Sequence, residues 1–227
     1  MPTGANSAVP GPNGEAVSLQ GYETYACDRD ISDKIKSLKT AKIHQLDVTS
    51  PESISTFARE LDGRPVDVLL NVAGIMSPPE QDSVDSTTKA VLMRTFEVNA
   101  FGPLLLTQAL LPNLVASEHK PAKVAIVSSR VGSISDNSSG GSYAYRASKA
   151  AVNAIGKNLA IDLQSKGIVV SILHPGITNT NINPSVATHP ECVEPEEAAS
   201  KLWKVLQSKD MSDTGKFWHR EGYKLPW

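Results

Sequence analysis

The chain has 227 residues, 40% of them hydrophobic, and a formal net charge of -2. That is one domain of ordinary globular composition, long enough to bury a sizeable core, and it excludes a basic nucleic-acid-binding surface. Cys27 and Cys192 have no metal-ligand spacing, the N-terminus lacks a secretory plan, and no apolar run is long enough to span a bilayer. A cytoplasmic protein with reduced thiols, no metal and no membrane partner is therefore expected.

From residue 21 onward the pattern alternates strand and helix. Tyr22–Ala26 and Lys42–Leu46 read as short strands. Ser50-Pro51-Glu52 starts a helix, with a Ser cap and Pro at the first helical position, which runs to about Leu61. Val66–Leu70 is a strand of the kind buried on both faces. A long helical stretch follows from about Ser86 to Val115, interrupted near Gly102-Pro103. Lys123–Ser128 is the next strand, and Asn137–Ser142 a flexible Gly/Ser loop. Tyr145 to about Lys166 is a helix whose Val152, Ile155, Leu159 and Leu163 form one buried stripe, with Gly167 as its stop. Ile168–Leu173 is a strand, Glu196–Leu206 the last helix, and Gly215–Trp218 a short final strand. Strands separated by helices predict an α/β fold, a single-domain, doubly wound parallel sheet with right-handed crossovers.

In such sheets ligands sit beyond the carboxyl ends of the strands. Here those ends carry Asn71-Val72-Ala73-Gly74, then Ser128 and Ser129, then His174-Pro175-Gly176-Ile177-Thr178-Asn179-Thr180. Turn residues must follow any strand, so each set alone also reads as structural. The helix after the second set adds Tyr145 and Lys149, a phenol and an ammonium one turn apart on one face. A Tyr and a Lys so spaced also describe a plain surface. Brought to the same edge, they are an acid–base pair, because a nearby cation favours the phenolate.

Taken together, Tyr145, Lys149, Ser129, Asn99 in Val98-Asn99-Ala100, Asn71–Gly74, Asp47, Pro175-Gly176 and Thr180 resemble the short-chain dehydrogenase/reductase family across nearly the whole chain. The ending from Gly215 to Trp227 resembles the branch of C-factor-like proteins and fungal polyketide ketoreductases. The resemblance implies a Rossmann-type fold and an oxidoreductase that exchanges hydride between NAD(P) and a small-molecule carbonyl or alcohol, with a secondary-metabolite carbonyl in view. It implies Tyr145 as the proton donor or acceptor, Lys149 lowering its pKa and binding the nicotinamide ribose, and Ser129, or its neighbour Ser128, bonding the substrate carbonyl. It implies Asn99 holding a relay water, Asp47 and Val48 at the adenine, Asn71, Ala73 and Gly74 at the adenosine ribose, and Ile177 and Thr180 at the carboxamide. The loop Ser133–Ser142 and the segment Asn181–Cys192 would line the substrate pocket, and relatives pair as homo-oligomers through the helices holding Asn99 and Tyr145.

The N-terminus departs from that pattern. Thr3-Gly4-Ala5-Asn6 matches the start of the family's phosphate loop, with Gly4 at the cofactor, but Ala8 and Pro10 stand at the next two glycine positions and only two residues precede Thr3. A truncated or missing first strand and weakened cofactor affinity are expected, since proline removes backbone donors. Asp28 stands where NAD users place an acid and Arg29 where NADP users place a cation; NADP is favoured and NAD stays open. The alternative reading is a catalytically impaired member acting as a signalling or binding protein.

Overall fold

The structure, a computed structural model, describes residues 22–38 and 41–227. The expectations about Gly4, the phosphate loop and the first strand fall on residues 1–21, outside the described residues.

Among the described residues the named strands are all parallel. β1 (Thr24–Asp28) pairs with β2 (Ala41–Gln45), Thr24 opposite Ala41. A second sheet runs in the order β3 (Val68–Asn71), β4 (Ala122–Val127), β5 (Ile168–His174), β6 (Lys216–His219). Val68 lies opposite Lys123, Ala122 opposite Ile168, and Ser171 opposite Lys216. Every residue of β5 is buried, the pattern of a strand covered on both faces.

The helices supply that cover. α1 (Asp33–Lys36), a single turn capped by Ser32, is absent from the sequence-based expectation because four residues carry no periodicity. α2 (Pro51–Glu60) begins as expected, the Ser50 hydroxyl accepting from Ser53 N. The long stretch divides into α3 (Lys89–Phe96), a π-helical turn at Glu97–Phe101, α4 (Gly102–Ala109) and α5 (Leu111–Val115). The break thus begins five residues before Gly102, for a reason written in the sequence. Pro103 has no N–H to give the carbonyl of Asn99 four residues earlier, so the α-helical ladder fails there. α6 (Tyr143–Asp162) and α7 (Pro195–Gln207) complete the set.

Phe57 of α2 and Leu61 at its C-terminal cap, Leu106 of α4, and Val152 and Leu159 of α6 pack with Val124 and Ile126 of β4 and Val170 of β5 in the larger core cluster. Leu202, Trp203 and Leu206 of α7 pack with Leu173 and Trp218 in the second cluster. Two apolar layers separated by a parallel sheet are the doubly wound α/β architecture the alternation predicts. Strand boundaries shift by a residue or two from expectation, β1 running Thr24–Asp28 rather than Tyr22–Ala26 and β6 Lys216–His219 rather than Gly215–Trp218.

Candidate active site

Two adjoining cavities reach the carboxyl ends of the strands. One, of about 810 Å³, runs the length of β1 and β3, from Tyr22 and Val66 to the edge where Arg29, Asp47, Val48, Asn71 and Ala73 line it. The other, of about 1130 Å³, is lined by Gly74, Ser129, Tyr145, Lys149, Ile177 and Thr180. Asp28 and Val72 line both, so the cavities meet at the ends of β1 and β3. The larger one also takes in Ser138, Ser139 and Ser142 of the loop before α6, and Asn181, Asn183 and Cys192 of the segment before α7.

At its floor α6 presents Tyr145 and Lys149, the Lys149 Nζ 5.7 Å from the centre of the Tyr145 ring. Lys149 is 3% exposed and donates to the Val127 carbonyl at 2.9 Å. Burial lowers its pKa to about 8. The same cause pushes the Tyr145 phenol up to about 12, against a smaller lowering from the neighbouring Ser129 hydroxyl. The resemblance implies a phenol made acidic by Lys149; in this structure burial dominates the shift of both groups. A desolvated site disfavours both charged forms, and the ammonium gives its hydrogen bond to a backbone carbonyl.

Of the two candidate serines, Ser129 is the one at the phenol. Ser128 turns inward, its hydroxyl donating to Asn153 Oδ1 at 2.6 Å beneath α6. The turn that carries Ser129 sits hard against the helix: a Cβ on Gly132 would come within 2.7 Å of the Lys149 backbone. Only glycine permits that approach.

Asn99, 1% exposed, sits inside the π-helical turn. Its Oδ1 accepts from Ile75 N at 2.8 Å, while its Nδ2 donates to Ile75 O at 2.9 Å and to Ser148 Oγ at 3.0 Å. It therefore staples the loop after β3 to α6. A Cβ on Gly74 would lie 3.5 Å from both Asn99 Oδ1 and Lys149 Nζ, which puts these three residues together.

At the smaller cavity, the Asp47 carboxyl accepts from Thr49 N and Oγ1 at 2.9 and 2.7 Å, an Asx-type turn. Val48 is wedged against Gly102, at the start of α4. Asn71, 5% exposed, points its amide inward toward Thr107 and Ala125, leaving its backbone at the cavity. The Arg29 guanidinium is bound by Asp30 at 2.6 Å, so a phosphate there would share it with a carboxylate. Asp28 is 6% exposed and accepts from Asp30 N.

Several residues at this edge carry no sequence signal. Arg220, 8% exposed, follows β6 and donates to the carbonyls of Pro175, Ile177 and Glu191 at 2.8, 3.1 and 3.2 Å. Gly176, at φ +72°, makes room for it, since a Cβ there would meet the guanidinium at 2.4 Å. One buried cation thus fixes the turn bearing Ile177 to the segment before α7. Arg146 does the same for the Gly/Ser loop, donating to Val131 O, Gly140 O and Ser139 Oγ. That loop is braced, where its composition suggested flexibility. No spacing rule identifies either arginine, because most of their partners are backbone carbonyls, which any sequence offers. His174 is held neutral, its pKa lowered to about 3 chiefly by burial.

The short chain dehydrogenase family profile matches residues 4–191. The 1-hydroxy-2-glutathionyl-2-methyl-3-butene dehydrogenase of Rhodococcus sp. (strain AD45) is 39% identical over 184 residues, covering 80% of this chain and 78% of that protein. The C-signal of Myxococcus xanthus is 37% identical over 171 residues, covering 75% of this chain and 98% of the C-signal. Among solved structures, the NADPH-bound carbonyl reductase from chicken fatty liver aligns with a TM-score of 0.86 at 28% identity, over 99% of this chain and 97% of that one.

Proposed function

The chain belongs to the short-chain dehydrogenase family, and from that premise we propose that it reduces the carbonyl group of a small molecule, with NADPH in preference to NADH. The observation that carries this reading is the geometry at the start of α6, where the phenol of Tyr145 stands beside Ser129 and one helical turn from a buried Lys149, with burial keeping the phenol protonated at neutral pH. A protonated phenol is a proton source of the kind a carbonyl reduction requires.

The lining of the two cavities supports a dinucleotide. Polar groups gather at the larger one, where Lys149, Thr180 and the backbone at Ile177 would hold the nicotinamide end. Backbone at Asn71, Ala73 and Gly74 would hold the adenosine ribose, with Asp47 and Val48 at the adenine. Arg29 would meet a 2′-phosphate, and NADPH is the cofactor bound in the chicken carbonyl reductase. A bound nicotinamide supplies hydride to the carbonyl carbon. Ser129 and Tyr145 would then orient the substrate oxygen, and Tyr145 would give it the proton that completes the alcohol. Lys149, an ammonium below about pH 8, would stabilise the phenolate left behind, and Asn99 would hold the connection through which solvent returns the proton.

The test is consumption of NADPH and NADH by the purified chain against an aromatic aldehyde, a diketone and a quinone. Carbonyl-dependent NADPH loss with alcohol formed in equal amount is expected. No turnover with any of the three would contradict the reading and favour a binding or signalling role. A clear preference for NADH would overturn the cofactor assignment alone.

A further inference from the structure

α6 starts without a cap of its own. Ser142, at its boundary, lies at φ 49° and ψ 51° and its side chain makes no capping bond. The first-turn donors are met from sixty residues away. Asp82, 1% exposed in the loop between β3 and α3, accepts from Ala144 N with Oδ1 at 2.8 Å and from Tyr145 N with Oδ2 at 3.2 Å. The Thr87 hydroxyl shares its proton between the same Oδ1 at 3.1 Å and Ser83 O at 2.6 Å, touching the carboxyl from the other side.

A carboxyl group at a helix N-terminus satisfies orphan donors and complements the helix dipole. This one does more than cap, because it grips two successive amides with two oxygens and one of those amides belongs to Tyr145. A fork of that kind sets both the rotation and the height of the turn. The phenol's place beside Ser129 follows from it, because an aromatic side chain has only two rotatable bonds between backbone and ring. Asp82 also belongs to the same connection as Gly74 and Ile75, the loop that Asn99 staples to Ser148 further along α6. The loop after β3 is thus joined to the helix at two points, one at Tyr145 itself and one a turn later.

We infer that Asp82 is the positioning residue for Tyr145, holding the phenol in register with Ser129; its effect on turnover rests on the reading of Tyr145 as proton donor. The two parts are separable by experiment. The chain has five tyrosines, so protein labelled with 3-fluorotyrosine gives a simple ¹⁹F spectrum in which Tyr145→Phe identifies one signal. Asp82→Leu should move or broaden that signal, and should lower kcat on the order of 100-fold with little change in KM for NADPH, the cost of a misplaced catalytic group. Asp82→Asn, which keeps the shape of the side chain and one acceptor but loses the second arm of the fork, should shift the signal and lower kcat by less than Asp82→Leu. Leu163→Ala, a buried change at the far end of α6, should lower the Tm without touching the Tyr145 signal. If Asp82→Leu does not fold, Asp82→Asn carries the judgement through a smaller shift of the same signal. An unmoved Tyr145 signal in the folded Asp82 variants, or one that moves equally in Leu163→Ala, overturns the inference. Absence of turnover in the wild type would count against carbonyl reduction and leave the spectra to decide on Asp82.

Discussion

Lys149 shows how far one residue can be read from sequence. Its spacing from Tyr145 places both on one helix face, and that much is legible from the chain. Its burial is not, because nothing local says that a lysine is among the eight buried residues of the twenty in α6. Burial is what sets its chemistry: the ammonium holds its proton less tightly in the folded protein, to about pH 8, than in the unfolded chain at 10.5. Between those values unfolding takes up a proton, so stability rises with pH across that window and is flat below it. Tyr145 works the other way, its contribution intact below pH 10 and lost as pH climbs through 12. Urea unfolding of wild type and Lys149→Met at pH 7 and pH 10 should therefore show the wild type gaining on the variant, on the order of 2 kcal/mol. A difference independent of pH would mean that the ammonium is solvated.

At the scale of elements, the alternation of strands and helices and the caps at Ser50 and Pro51 were legible because they are local. The π-helical turn at Glu97–Phe101 was half legible: Pro103 marks a break, but only the register of the fold places Asn99 within it. The bracing of the Gly/Ser loop by Arg146 was not legible, since composition reports what a loop lacks and not what ties it down. At Gly132 the turn carrying Ser129 is pressed on the Lys149 backbone. Gly132→Ala should push the turn carrying Ser129 away from α6, costing roughly 1–3 kcal/mol of stability and lowering kcat more than KM for NADPH. Thermal melts and steady-state rates check it; an alanine variant with wild-type kcat would show that the turn has slack.

For the whole molecule, the two apolar layers and the parallel sheet bring three strand ends, drawn from residues 71–74, 128–129 and 174–180, to one edge. That convergence follows from topology and could be argued from the sequence. The contact of the buried arginine after β6, which ties the last strand to the turn at Ile177, depends on packing between segments about forty residues apart. The fold thus delivers a phenol, a serine and a buried lysine to the larger of two adjoining cavities, and the proposed reduction turns on that phenol giving up its proton. The most direct test compares wild type with Tyr145→Phe for carbonyl-dependent NADPH oxidation, alongside NADPH binding by each. The account predicts a loss of at least about 100-fold in kcat with NADPH affinity unchanged; a phenylalanine variant that turns over like the wild type would contradict it.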